Sequence, residues 1–164
     1  MKQLHLMRHA KSSWADSYTV DHDRELNERG KRDAPRMGSA LAKQLPVLPV
    51  YVSSARRAQD TLAGLCAGWP GLLAQPHTVE SDLYTFDWEE VLEWIQDLAS
   101  DDEHCFLIGH NPALTELCNA LTGRRSLDNL PTAGYLRFSL PIDDWSDTAE
   151  GLATLESYLF PKQL

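Results

Sequence analysis

Cysteine, basic charge and long apolar runs are all scarce in this chain, and each shortage removes a class of function. There are three cysteines in 164 residues, Cys66, Cys105 and Cys118. Their odd number and the lack of a CxxC pair argue against a disulfide framework. They read instead as small buried thiols in a reducing compartment. With 15 Lys and Arg against 24 Asp and Glu, the formal net charge is −9. A general nucleic-acid binder needs a basic face to displace counterions, so nucleic acid is not an expected partner. A small local basic pocket stays compatible with that total. No run approaches the ~20 apolar residues of a membrane-spanning helix. The N-terminal apolar stretch is cut short by Arg8, below signal-peptide length, so a cytoplasmic location without membrane attachment is expected. The six histidines include no HExxH and no Cys/His cluster with zinc spacing. His5, His22, His77 and His104 therefore read as structural or exposed, and neither metal nor cofactor is expected.

What is present is an alternation of strand and helix signals, over a length that suits a single domain, 1–164. Gln3 to Met7 is a short apolar strand. Ala10 to Arg29 is polar, with Asp16, Asp21, Asp23 and Glu25 interspersed, and reads as a long loop; in compact domains such loops are usually functional or disordered. A helix follows from Asn27 or Gly30 to Leu45, with Ala34, Met37, Leu41 and Leu45 on its core face. Pro35 is tolerable near a helix start, which favours the later beginning or a kink. "VYVSS" is a second strand, and "SARRAQDTLAGLCAGW" a second helix with Ser53 or Ser54 available as N-cap. "HTVE" is a weak strand, "DWEEVLEWIQDLAS" an amphipathic helix, and "HCFLIGHN" a buried strand. Asn111 and Pro112 supply the cap and first-turn proline of "PALTELCNALTG". "AGYLRFSL" and "LATLESYLF" are final strands with no helix between them, so one is expected to be antiparallel at an edge. The pattern predicts a three-layer α/β/α sandwich around a mainly parallel central sheet.

Strand-to-helix junctions of such a sheet lie along its carboxyl edge, where ligands bind. Three of them carry unusual residues: Arg8-His9, Arg56-Arg57 and His110. Taken singly, Arg8 could cap a strand, Arg56 and Arg57 could form a solvated helix face, and His110 could cap a turn. Together they bring two imidazoles and at least two guanidiniums to one crevice of an acidic protein, which points to an anionic ligand.

"LMRHAKS", "SSARRAQDT" and "LIGHNPAL", in this order, resemble the histidine phosphatase (phosphoglycerate mutase-like) superfamily. "RHAKSSWAD", "DRELNERGKRDAPRMG", "DLY" at Asp82 to Tyr84 and "LPTAG" at Leu130 to Gly134 are similar to its SixA-like phosphohistidine phosphatase branch. The resemblance covers almost the whole chain. It implies that His9 is the nucleophile and becomes transiently phosphorylated. Arg8 and Arg57 would fork onto the phosphoryl oxygens. Arg57 fits better than Arg56, because the family's Arg-x-x-x-Thr spacing runs from Arg57 to Thr61. His110 would donate to the equatorial oxygens as charge builds, and Lys11 would add to the phosphate field. Asn111 and Thr132 read as a helix cap and a turn former.

The pattern departs from many superfamily members at the general acid, a glutamate there. This chain has no clear counterpart. Asp82 is nearest by position and Glu80 is next; the alternative is that Asp82 is a polar residue flanking a helix. Short insertions leave little material for a lid, which favours an open groove and a bulky substrate. The resemblance thus implies a metal-independent phosphatase acting on protein-bound phosphohistidine, for instance on a histidine phosphotransfer domain. The alternatives are a phosphomonoesterase for small phosphate esters and a catalytically idle phosphate-binding module.

Overall fold

Six strands form one sheet in the computed structural model, which describes residues 1–14 and 18–164. Asp16, an acidic residue of the expected loop, lies outside the described residues. The strands are β1 (Lys2–Arg8), β2 (Val50–Ser53), β3 (Thr78–Glu80), β4 (His104–Gly109), β5 (Tyr135–Leu140) and β6 (Thr154–Leu159), in the order β3-β2-β4-β1-β5-β6. The first four run parallel. β5 reverses against β1, and β6 at the edge pairs antiparallel with β5. Between the parallel strands run α1 (Glu28–Ala42), α2 (Arg56–Gly68) and α3 (Trp88–Gln96), and α4 (Ala113–Thr122) follows β4.

The period-2 alternation of the strands divides the apolar residues between two cores. Leu4, Leu6, Cys105, Leu107, Leu136 and Phe138 face α3 and α4, together with Val91, Ile95, Leu114 and Leu117. Met7, Val50, Val52, Phe106, Ile108 and Tyr135 face α1 and α2, together with Ala34, Met37, Leu41 and Leu65. Helices on both faces of one sheet make the expected three layers. No helix among the described residues is long and apolar enough to cross a membrane.

The sheet order fixes where a site can form. The adjacent strands β1 and β4 send their chains to opposite faces, β1 into α1 and β4 into α4. A crevice therefore opens between their carboxyl ends. Arg8 is in register with Gly109, so His9 and His110 emerge side by side.

Three local expectations change. The α1 helix takes the earlier start: Asn27 is its N-cap and accepts a hydrogen bond from Gly30 N at 2.9 Å. Pro35 then lies inside the helix. The carbonyl its missing N–H would have bonded belongs to Lys31, an exposed residue, so water can satisfy it. The N-cap of α2 is Ala55, with no side-chain cap, and Ser53 turns to other use. Pro112 is the N-cap of α4 rather than a residue of its first turn. Asn111 nevertheless caps, accepting from Thr115 N at 3.1 Å and from Thr115 Oγ1 at 2.9 Å.

Candidate active site

The chain just after β1 is held from three sides. His9 N donates to Gly109 O of β4 at 3.1 Å, and Ala133 N donates to His9 O at 3.0 Å. Ala10 N donates to Thr61 Oγ1 at 2.9 Å, and that hydroxyl donates to Arg57 O at 2.7 Å. The Arg57–Thr61 spacing thus has a physical reason. One helical turn puts the threonine where it clamps the backbone beside His9 to the helix that carries Arg57.

His9 is 7 % exposed. Its Nδ1 lies 2.7 Å from Ala10 O, and a carbonyl only accepts, so Nδ1 bears the proton. The Nε2 lone pair is left to accept from Arg57 Nε at 3.3 Å. Burial, reinforced by the neighbouring His110, Arg57 and Arg8, holds the ring well below the usual histidine range, although the Ala10 hydrogen bond opposes this. His9 is therefore a neutral imidazole with its unprotonated nitrogen toward a guanidinium.

His110 stands beside it, with ring centroids 5.2 Å apart. It is buried and does not form part of the pocket wall. Ser53 Oγ accepts from Ala55 N at 3.2 Å and can donate to His110 Nε2 at 2.7 Å. In that tautomer Nδ1 carries the hydrogen. Burial, with Arg57 nearby, lowers the His110 pKa to about 3. His110 Nδ1 and Arg8 Nε are buried without a hydrogen-bond partner among the described residues. Two such donors in one crevice are costly unless an anion meets them.

The pocket in front of His9 holds about 250 Å³ and is lined by Arg8, Lys11, Arg24, Arg57, Asp21 and the aromatic rims of Trp14 and Phe86, among others. Arg8 donates through Nη1 to Leu130 O at 2.9 Å. Asn111 Nδ2 donates to the same carbonyl at 2.9 Å. Lys11 is exposed at the mouth. Thr132 also lines the pocket, from the turn whose next residue, Ala133, has φ 59°. Four cations against one carboxylate make this a positive spot on an acidic molecule. Arg56 points elsewhere, pairing with Glu25 at 2.8 Å and Asp60 at 3.7 Å.

The structure does not bring Asp82 or Glu80 to the pocket. Asp82 is exposed on the 3-10 turn Ser81–Leu83, and neither residue lines the cavity. The acidic group that does reach it is Asp21, in the sequence one carboxylate among several in a polar stretch. Asp21 Oδ2 accepts from Arg57 Nη2 at 3.0 Å and from Tyr84 OH at 2.5 Å, and Oδ1 accepts from Arg24 Nη1 at 3.0 Å. Although partial burial opposes it, these hydrogen bonds from Tyr84, Arg24 and Arg57 lower its pKa to about 2. The signal for it was weak: "DHDR" in a polar stretch, with nothing to tie it to Arg57.

The other histidines have structural partners. His77 accepts from Val50 N through Nδ1 at 3.0 Å, and its Nε2 lies 2.7 Å from Leu72 O. His22 Nε2 meets Ser54 Oγ at 3.0 Å. His5 lies between Tyr135 OH at 2.6 Å and His104 Nδ1 at 2.9 Å.

Known proteins are similar to this chain in sequence or in fold. The Mycobacterium tuberculosis protein MT1313, itself uncharacterised, is 30% identical over 95% of this chain and 100% of its own. A Nakamurella multipartitia protein, provisionally designated phosphohistidine phosphatase SixA, superposes with a TM-score of 0.81 at 26% identity. That match covers 98% of this chain and 96% of the other. A mycobacterial glucosyl-3-phosphoglycerate phosphatase shares the fold alone, with a TM-score of 0.73 at 18% identity over 95% of this chain and 97% of its own. The family model for branch 1 of the histidine phosphatase superfamily matches residues 4–104, a span that includes Arg8, His9 and Arg57. The chain belongs to the histidine phosphatase superfamily, branch 1, and is a phosphatase.

Proposed function

We propose that this phosphatase hydrolyses phosphohistidine on proteins, with His9 Nε2 as the nucleophile. The nitrogen lone pair attacks phosphorus as the bond to the substrate's imidazole breaks, and that ring, protonated beforehand on its other nitrogen, leaves neutral. Water then takes the phosphoryl group from His9 as inorganic phosphate. Arg8 and Arg57 hold the phosphoryl oxygens, Lys11 adds positive charge at the mouth, and His110 donates through Nδ1 as charge builds. Positioning and charge are most of what phosphoryl transfer needs.

The observation that carries the reading is the state of Asp21. It is the only carboxylate among the described residues lining the pocket, and its hydrogen bonds keep it ionised, with a pKa of about 2. An ionised carboxylate cannot hand a proton to a leaving alkoxide, whose conjugate acid has a pKa of order ~15.7. Expelling one gains ~10²–10⁴-fold from a positioned acid, and that gain is missing here. A phosphohistidine ring can take its proton from water beforehand, on the nitrogen that does not bear phosphorus, because imidazole has an unperturbed pKa of about 6.5; it then leaves as neutral imidazole without an acid from the protein. The cavity of about 250 Å³ is also smaller than the ~300–1,000 Å³ of sites that enclose a small molecule. It suits a phosphoryl group borne on a larger body. A wider groove of about 610 Å³ along α4 shares Asn111 with it.

The test is a panel of substrates assayed with a metal chelator present throughout. Phosphohistidine protein and aryl phosphates should be turned over well ahead of phosphoserine and sugar phosphates, and Asp82→Asn should change neither class. Efficient cleavage of sugar phosphates with phosphohistidine left intact would instead establish a small-molecule phosphomonoesterase. Activity lost to the chelator and restored by zinc or magnesium would contradict the metal-free mechanism.

A further inference from the structure

Arg57 has to keep its Nε–H aimed at the place where His9 meets phosphorus. The side chain is 2 % exposed, yet a long arginine gives up much rotamer freedom when it is fixed. Something must hold it. Both terminal nitrogens of its guanidinium reach one residue. Nη1 donates to the backbone carbonyl of Asp21 at 2.7 Å, and Nη2 donates to Asp21 Oδ2 at 3.0 Å. Nε, on the opposite side, faces His9 Nε2 at 3.3 Å.

We propose that Asp21 is a positioning residue that clamps the outer edge of Arg57 and so sets the direction of its Nε–H. The inference rests on the reading of His9 and Arg57 as the pair that handles the phosphoryl group.

Asp21 is itself anchored from two further segments. Tyr84 OH donates to Oδ2 at 2.5 Å, across from the turn before α3. Arg24 Nη1 donates to Oδ1 at 3.0 Å. Arg24 is pinned in turn by Ser13 O at 3.2 Å and Ser12 Oγ at 2.5 Å, and its guanidinium lies 3.4 Å from the Trp14 ring centroid. Both carboxylate oxygens are thus committed.

A rival reading treats the carboxylate as an internal anion that occupies Arg57 until phosphate displaces it. The geometry opposes this. A side-chain rotation would free Nη2 but not Nη1, because Nη1 is held by the backbone of Asp21. The two readings predict opposite changes in anion affinity. A clamp lost should weaken phosphate binding, and a competitor lost should tighten it.

The experiment measures inorganic phosphate binding by calorimetry and hydrolysis of phosphoramidate and an aryl phosphate. The parent protein is compared with Asp21→Asn, Tyr84→Phe, Arg57→Ala and the Asp21→Asn/Arg57→Ala double variant. Asp21→Asn should weaken phosphate binding and lower kcat/KM by roughly 10- to 100-fold, the range for partners that orient a binding group. Its Tm should stay within about 4 °C of the parent. Tyr84→Phe, which removes one tie and leaves the carboxylate, should shift both in the same direction by less. In the Arg57→Ala background, Asp21→Asn should cost nothing more. Unchanged or tighter phosphate binding in Asp21→Asn, or full additivity in the double variant, overturns the proposal. A parent protein that binds phosphate but hydrolyses neither compound defeats the functional reading alone, since the binding comparison still decides the role of Asp21.

Discussion

At the residue scale, the proposed chemistry turns on which nitrogen of His9 is free. The Ala10 carbonyl at 2.7 Å accepts a hydrogen bond from Nδ1–H, so Nε2 is the atom expected to carry phosphate. His9→Ala should abolish turnover and leave the fold intact. Rapid acid-avoiding quench with labelled substrate should trap phosphate on the parent and not on the variant. Label found on His110, or none during full turnover, would refute the assignment. The pH dependence has a definite sign as well. The His9 pKa is lowered by burial and by the surrounding cations, so in the free enzyme the ring stays neutral, and nucleophilic, well below pH 6.5. The acid limb of kcat/KM should therefore fall below that pH; a limb centred at or above 6.5 would contradict the burial. Arg8, His9, Arg57 and His110 could be picked from the sequence because each ends or follows an apolar strand. Asp21 could not. Its importance comes from a contact with Arg57 across 36 positions, and nothing local in "VDHDRE" records it.

At the scale of elements, the register of β1 against β4 juxtaposes the histidines, and the start of α1 braces the segment that follows them. Gly30 lies so close to Lys11 that a Cβ would collide with the Lys11 carbonyl, which also accepts from Asn27 N at 3.0 Å. Gly30→Ala sets two effects against each other. Alanine favours a helix by about 0.8–1.0 kcal/mol over glycine, whereas an overpacked contact costs typically ~1–3 kcal/mol. Backbone meets backbone here, so relief by side-chain rotation is closed and the clash should win. A lower Tm is expected, with kcat/KM reduced because Lys11 lies two residues from His9. A Tm equal to or above the parent's would show that the segment yields freely. The helical spacing of Ala34, Met37 and Leu41 and the alternation along β1 and β4 made these elements legible beforehand. Pro35 misled by suggesting a late start, because sequence does not reveal that the orphaned carbonyl lies on the exposed side. Ser53 misled in another way: it resembles an N-cap, yet its hydroxyl serves His110 at 2.7 Å across the sheet.

At the scale of the whole molecule, a chain of net charge −9 buries three of its histidines almost completely. His5, His9 and His110 are 0 %, 7 % and 1 % exposed. Burial lowers the pKa of His5 and of His110 to about 3, and that of His9 well below 6.5. In the unfolded chain each should titrate near 6.5. Between those limits the unfolded state binds protons that the folded state refuses. Stability is therefore full above pH 6.5 and is lost as pH falls toward the folded values. Asp21, lowered from 3.8 to about 2, loses its own contribution only below that window, so the histidines dominate between pH 6.5 and 4. Each contributes up to about 1.4 kcal/mol per pH unit, against a total stability of roughly 5–15 kcal/mol. Urea midpoints should fall steadily through that range. His5→Gln isolates the effect from catalysis, because His5 bonds Tyr135 and His104 rather than any group in the pocket. The variant should be less stable at pH 8 but show a shallower decline, by up to about 1.4 kcal/mol per unit. A parent midpoint that stays flat from pH 6.5 to 4.5 would mean that these rings take up protons without unfolding, and that their burial is not what excludes charge.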